Sequence, residues 1–272
     1  TMGNATNICS DKTGTLTENQ MNVVAGYFQG KYYHIDEYKE CVPAKLTDNA
    51  KEIISDNTSL NRDCHIRWHD DKGQPLHKPE ITGSKTESAL MLMAHDWGYD
   101  YLATLDAKFK LDHDQFFAFN SNKKRSCCVV HKPDGGVRVY VKGASEWIMK
   151  DCTSQMDTKG ATVPLSEKDK GPINDHIEDM AKQALRTLAL AHVDFPNEGA
   201  MGDWREDPPD SANLILDCIV GIIDPLRGDV KESVRKAQRA GVVVRMVTGD
   251  NITTAKAIAR QCGILTDDGT AI

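Results

Sequence analysis

The chain lacks a long hydrophobic run. Its most apolar stretch, Leu214 to Ile223, is broken by Asp217 and is about half as long as the roughly 20 residues a membrane-spanning helix needs. A spanning helix is therefore excluded from these residues. The first residues lack a basic segment followed by an apolar one, so no secretory leader is read. The chain opens on Thr1 and passes at once into an apolar strand, as a piece cut from something longer would. Basic excess is missing too: 33 Lys and Arg stand against 40 Asp and Glu, a formal charge of -7, which argues against a nucleic-acid partner. The eight cysteines include no CxxC pair and no repeated spacing, the pattern of reduced cytosolic thiols rather than of a disulfide framework. Cys64, His65 and His69 stand close together. A structural zinc site normally shows four well-spaced ligands, so a surface loop with incidental histidines is the preferred reading. No internal repeat or low-complexity tract is present.

What is present is a globular composition: 272 residues, 27% charged and 40% hydrophobic, enough for two domains with cores of their own. Asn7 to Ser10 reads as a short buried strand ending at Asp11, with a Thr- and Gly-rich loop after it. Asn22 to Phe28 and Lys31 to Ile35 read as strands around a Gln29-Gly30 turn, where an antiparallel region interrupts the first domain. Ser84-Lys85-Thr86-Glu87 fits a capping box, with Ser84 taking free backbone N–H groups and Glu87 reaching back, and predicts a helix from Ser84 to Trp97. Pro133-Asp134-Gly135-Gly136 separates strand patterns at Ser126 to His131 and Val137 to Val141. Helical patterns follow from Ser145 and over Ser166 to Leu185. From Leu214 the texture becomes strand, helix (Asp229 to Ala240), strand (Val242 to Val247), helix (Thr253 to Gln261), the alternation of a parallel α/β sheet. The expected organisation is an α/β domain built from residues 1–23 and 224–272, with residues 24–223 inserted as a mixed α+β domain. The loop from Asp36 to Pro79 has no readable pattern.

The chemistry centres on Asp11-Lys12-Thr13-Gly14-Thr15-Leu16-Thr17. A carboxylate at the carboxyl end of a strand, followed by small and hydroxylated residues whose N–H groups can turn toward one point, can attack phosphorus while the loop cradles its oxygens. A Mg ion would offset the repulsion between carboxylate and phosphate. The bland alternative is a polar turn. Thr248-Gly249-Asp250-Asn251 directly follows the Val242 to Val247 strand, and in a parallel sheet neighbouring carboxyl ends meet at one crevice. Alone, such a turn is as easily a helix cap. Asp224-Pro225-Leu226-Arg227 falls where composition places the domain boundary, and proline stiffens a short connection there.

Asp11 to Thr17 is identical to the phosphorylation motif of the P-type ATPases, which the chain resembles except over about Asp36 to Pro79 and Asp194 to Asn213. The resemblance implies Asp11 as nucleophile and phosphoryl acceptor, Lys12 as a phosphate neighbour, and Thr13 as a Mg ligand through its carbonyl beside Asp11. It implies Thr248, Gly249 and Asp250 as the second phosphate-contacting motif and Asp224 to Arg227 as a hinge. The fold it implies is a partial Rossmann-like phosphorylation domain of the haloacid-dehalogenase type, interrupted by an antiparallel-sheet nucleotide-binding domain. Phosphatases of that superfamily usually carry a second Asp two residues after the nucleophile. Here that position is Thr13, which cannot shuttle a proton, so a long-lived aspartyl-phosphate is favoured over rapid hydrolysis.

In the inserted domain the resemblance implies Phe119 stacked on adenine, Lys124 at the phosphates, and Lys142 and Gly143 lining the cleft. Thr86 and Glu87 match a pair whose Glu accepts from the adenine amino group, while Arg186 serves the phosphates and Leu188 the pocket wall. Taken singly, Phe119 reads equally as core, Glu87 as the capping box, Lys123 to Arg125 as a solvated run and Arg186 as a surface ion pair. Thr1 to Thr6, Lys85 to Glu87 and Arg239 through Asn251 look like plasma-membrane-type calcium pumps. That likeness implies ATP and Mg2+ as cofactors, Ca2+ as the transported ion, and a cytoplasmic position on an integral protein of the plasma membrane or an endomembrane. The partners it implies are the membrane and actuator domains of the same polypeptide, with calmodulin bound outside these residues. A pump of another cation, a soluble phosphatase and a catalytically silent nucleotide-binding module are the alternatives. The family's distal phosphate-binding Lys and Gly-Asp-Gly-x-Asn-Asp segment are not among these residues. The chain alone is therefore expected to bind ATP weakly and neither to autophosphorylate efficiently nor to transport.

Overall fold

Strand β1 (Asn7–Asp11) begins the ordered path in a computed structural model that describes residues 5–35, 37–38, 42, 44–249, 252–266 and 269. The chain then enters a long insert. β2 (Asn22–Phe28) and β3 (Lys31–Tyr33) pair with Tyr27 opposite Tyr32. Positive φ at both Gln29 and Gly30, 47° and 80°, is the type I′ geometry whose twist matches that of the strands. There follow α1 (Asp48–Leu60), β4 (Cys64–His69), β5 (Pro75–Gly83), α2 (Lys85–Asp96), α3 (Tyr101–Lys108), β6 (Gln115–Asn120), β7 (Arg125–His131), β8 (Val137–Ala144), α4 (Ser145–Asp151), β9 (Cys152–Met156), β10 (Thr162–Pro164), α5 (Glu167–Lys182), β11 (Arg186–Phe195) and β12 (Leu214–Ile223). One sheet runs β10-β9-β12-β11-β8-β7-β6, with β2 bonded to β12 and β3 to β2, while β4 and β5 form a hairpin of their own. The chain closes with α6 (Val230–Arg239), β13 (Val243–Val247) and α7 (Ile252–Gln261).

Two units result. One gathers Thr1–Met21, Glu178–Arg186 and Ile223–Ile272, the other Asn22–Ile177 and Thr187–Ile222. The pattern of the sequence assigns 178–186 to the insert. In the fold Ala184 joins the first unit's core of Leu16, Val230, Val234, Ile258 and Cys262.

In the second unit, α1 lays Ala50, Ile53 and Leu60 on Cys128, Val130, Tyr140 and Met156 of the sheet. Thr47 caps it by accepting from the Ala50 N–H at 3.3 Å. The helix also buries Ser55, Asp56, Asn57, Thr58 and Ser59, and buried polar groups persist only when hydrogen-bonded. Asn57 Nδ2 donates to the carbonyls of Val141 and Ala191, each at 3.1 Å. Asn61 does the same to Ser126 and Tyr140 at 3.3 and 3.4 Å. Asp56 accepts from Lys108 Nζ at 2.7 Å and from the Tyr140 hydroxyl at 3.1 Å. Burial pushes its pKa up against the pull of Lys108.

The first unit holds a parallel pair, β1 on β13. Val244 and Met246 face the helix side and pack on the Leu16 cluster, whereas Val243 and Val247 are 50% and 60% exposed. β1 likewise alternates between exposed and half-buried residues. The expected buried strand is thus corrected: with one partner strand and one covered face, β1 cannot be enclosed. Among the described residues no helix is long and apolar enough to cross a membrane.

Candidate phosphorylation and nucleotide sites

In the first unit, register decides the geometry. Parallel pairing sets Asp11 opposite Val247, so the loop after Asp11 and the Thr248-Gly249 turn leave the same edge of the ribbon. Asp11 is exposed at the strand end, with Oδ1 accepting the Lys12 N–H at 2.7 Å. The loop turns at Gly14, whose φ is +76°, and closes where the Thr17 N–H meets the Lys12 carbonyl at 3.2 Å. Lys12 is buried and Thr13 exposed. Asp250 lies outside the described residues.

The boundary motif anchors this loop. Asp224, 7% exposed, accepts from the Thr17 hydroxyl at 2.7 Å and from the Asn19 N–H at 2.9 Å. The Arg227 N–H donates to the Leu16 carbonyl at 3.0 Å, and its guanidinium donates to the Gly14 carbonyl at 2.8 Å. Pattern reading singles out Asp224 to Arg227 only as a hinge. The pairing of Thr17 with Asp224 joins the ends of two motifs far apart in the chain, and no local pattern in the sequence signals it. A hard dication fits the donors here: Asp11 is exposed, one of its oxygens is taken by a backbone N–H, and Thr13 lies exposed two residues on. Mg2+ is commonly held by one or two protein oxygens together with substrate phosphates.

In the second unit, the strand order β11-β8-β7-β6 gathers Phe119, Lys124, Lys142, Gly143 and Leu188 at one end of the sheet. Gly143 is opposite Arg125 on one side and Ala189 on the other. Leu188 is opposite Ala144, Phe119 is near the end of β6, and Lys124 is in the turn that leads to β7. Phe119 is 56% exposed, which removes the core reading and leaves an aromatic face free to stack. Lys124 is exposed with φ of +55° and makes no ion pair among the described residues, whereas Lys123 and Arg125 are both bound in ion pairs. The solvated-run reading of Lys123 to Arg125 therefore fails for its two ends. Gly143 has a packing reason as well: a Cβ there would stand 2.3 Å from the Lys124 carbonyl oxygen.

Glu87 and Lys142 meet directly, Oε1 to Nζ at 3.0 Å. Lys142, 3% exposed, also donates to the Asn61 carbonyl, and the second Glu87 oxygen accepts the Asp63 N–H. Half of the capping box is thereby corrected. Ser84 does accept the Glu87 N–H at 3.3 Å, but the Ser84 N–H goes to the Asp63 carbonyl at 3.1 Å, because the carboxylate is drawn to the buried ammonium instead. Thr86 opens the same helix, α2. Arg186 is exposed and belongs to the first unit. Cys64 turns into a small core beside Met91, its thiol pKa pushed up to about 12 by burial, while His65 points to the other strand face. No metal-binding cluster of His, Cys, Asp and Glu occurs among the described residues.

Comparison with known proteins gives the family to which these two motif groups belong. The family profile described as P-type ATPase, cytoplasmic domain N, matches residues 50–229; the chain belongs to the P-type ATPases. It is 42% identical to plasma membrane calcium-transporting ATPase 4 of Bos taurus, over 98% of this chain and 22% of that protein. It is 42% identical to calcium-transporting ATPase PAT1 of Dictyostelium discoideum, over 99% of this chain and 22% of that protein. A plant relative, calcium-transporting ATPase 10, plasma membrane-type, of Arabidopsis thaliana, is 42% identical over 100% of this chain and 24% of its own length. The chain thus spans about a quarter of the length of these relatives.

Proposed function

We propose that the chain is the ATP-binding and phosphoryl-accepting portion of a calcium-transporting P-type ATPase of the plasma membrane or an endomembrane. The observation that carries this is the Asp11 to Val247 register, which sets an exposed carboxylate and a Thr-Gly turn at one end of the ribbon, with Asp224 bracing the loop after Asp11. ATP is held by the second unit, with Phe119 under the adenine, Lys124 at the phosphates, and Glu87, Lys142, Gly143, Thr86 and Leu188 forming the wall.

An Asp11 carboxylate oxygen attacks the γ-phosphorus in line with the bridging oxygen to ADP. The new O–P bond forms as the old one breaks, and ADP leaves with the electron pair. Lys12, Thr248 and the loop N–H groups stabilise the charge on the transferring oxygens, with Asp250 as a further member of that group. Mg2+, held by Asp11 and the Thr13 carbonyl, would supply charge neutralisation. Because Thr13 occupies the position from which a carboxylate would activate water, the aspartyl-phosphate persists long enough to drive a conformational cycle in the membrane and actuator domains of the longer protein, with Ca2+ as its cargo.

The test has two arms. Calorimetric titration of ATP into this chain should show binding that weakens at least about fivefold in Phe119→Ala, since base stacking is worth about 1–3 kcal/mol. In the full-length pump, radiolabel from the ATP γ-phosphate should appear as a hydroxylamine-labile adduct in the presence of Ca2+ and vanish in Asp11→Asn. Equal ATP affinity in Phe119→Ala removes the pocket, and labelling that survives Asp11→Asn removes the acceptor.

A further inference from the structure

Residues 196–213, between β11 and β12, carry none of the motifs above, yet they run beside the β6–β7 hairpin at both of its ends. Trp204 is 3% exposed. Its ring lies edge-on to Phe117 at 6.5 Å and tilted over His131 at 5.9 Å, and its Nε1 donates to Glu198 at 2.9 Å. Further on, Asp207 accepts from Lys123 Nζ at 2.9 Å, and the Asp210 carboxylate lies 3.4 Å from the same nitrogen. Asp210 is itself 3% exposed, and Arg125 is 5% exposed. The Arg125 guanidinium donates to the Asp210 carbonyl, to Asp151 at 2.7 Å and, through Nε, to the Lys123 carbonyl at 3.1 Å.

These contacts bracket a single residue. Lys123 and Arg125 are both tied to the same segment, and between them Lys124 holds a φ of +55°. A non-glycine residue is held in that left-handed region only where its surroundings fix it. The turn is further set by the Lys124 N–H to the Asn120 carbonyl at 2.7 Å and by Asn120 Oδ1, which accepts from Asn122 and Lys123. The charge of Lys123 is thus spent on the segment and that of Arg125 on Asp151, with the Asp210 carbonyl as a further acceptor for Arg125, while Lys124 is exposed.

We propose that residues 196–213 form a strap that positions Lys124 for the phosphates of a nucleotide, with Asp210 as its principal positioning residue through Lys123 and Arg125. The inference rests on the nucleotide reading of the second unit and adds a determinant of phosphate recognition to it. Asp210 touches no ligand. It acts by fixing the backbone on both sides of the residue that does, so its loss should weaken phosphate recognition without touching base recognition.

The experiment compares ATP with adenosine on the full 272-residue chain by calorimetry, in wild type, Asp210→Asn, Lys124→Ala and the double variant. Asp210→Asn should weaken ATP by about fivefold, the scale of one charge-assisted contact, and leave adenosine affinity unchanged. In the Lys124→Ala background it should cause no further loss. Lys123→Gln, altered at a partly exposed side chain, gives the same comparison should Asp210→Asn not fold. Unchanged ATP affinity in these variants, equal weakening of ATP and adenosine, or additive losses with Lys124→Ala would overturn the strap. A wild-type chain whose ATP affinity is indifferent to Phe119→Ala would instead overturn the nucleotide site itself.

Discussion

Replacing Gly143 with alanine tests the close approach on which the Phe119 and Lys124 end of the sheet is built. A Cβ at 143 would stand 2.3 Å from the Lys124 carbonyl oxygen and 2.8 and 2.9 Å from Cβ and Cα of Arg125. All three are on the neighbouring strand and its turn, so no flexible side-chain tip can yield, and the strands must part by about 1 Å to reach ordinary contact. Overpacking of this kind costs about 1–3 kcal/mol. The same displacement strains the bond from the Ala144 N–H to the Lys124 carbonyl, 3.0 Å long, for about 1 kcal/mol more. Together they lower the melting midpoint by roughly 5–15 °C in a domain of this size. All four tryptophans (Trp68, Trp97, Trp147 and Trp204) fall in the second unit, so thermal unfolding followed by their fluorescence reports on that unit. Gly171→Ala is the control: it lies in α5 with nothing within 4 Å of the new atom and should hold or raise the midpoint, as helix propensity favours alanine by up to about 1 kcal/mol. A Gly143→Ala midpoint within about 2 °C of wild type would refute the steric reasoning.

In the first unit, Asp224→Ala removes the acceptor of the Thr17 hydroxyl and the Asn19 N–H. At about 2 kcal/mol for charge-assisted bonds, exchange of the Asn19 amide with deuterium should speed by roughly 30-fold, and unchanged exchange would show that the brace is idle. Asp217 lies wholly buried and accepts from or donates to His192 Nδ1 at 2.7 Å, its pKa raised by burial against the pull of His192. The folded state then holds this proton more tightly than the unfolded state, so the group's contribution to stability falls as pH rises from the ordinary carboxylate range toward the raised value. Urea unfolding at pH 4 to 7 should show that slope lessened in Asp217→Asn, and an identical slope in the two proteins would contradict the assignment.

Elements with a local signature were legible in the sequence: the Gln29-Gly30 turn, the Ser84 cap, the apolar Leu214 to Ile223 strand. α1 was not, because Ser55 to Ser59 put polar side chains where an amphipathic pattern requires apolar ones, and the partners that hold Asn57 are carbonyls of Val141 and Ala191 on strands far along the chain. The Asp11 to Thr17 loop was legible as a motif, whereas its brace at Asp224 was not, since no spacing rule couples it to Thr17. In the nucleotide group, Lys142 reads from sequence as a cleft-lining cation. Burial against Glu87 and the Asn61 carbonyl shows it also as the pin between α1, α2 and β8, a role that only three-dimensional proximity reveals.

The pairing of β2 with β12 has a consequence for the order in which the chain folds. Gly26 sits so close to the Ile219 carbonyl that a Cβ would stand 2.5 Å from it, so the first and last strands of the insert are neighbours. Without the insert folded, bringing β1 beside β13 means closing a loop on the order of 200 residues, an entropic cost of about 4–5 kcal/mol. Once the insert has formed, its entrance and exit are already side by side, and most of that closure has been accomplished by the insert's own sheet. β1 with Asp11 at its end then finds its partner strand by a short search, and variants that loosen the middle of the chain should slow the assembly of its two ends.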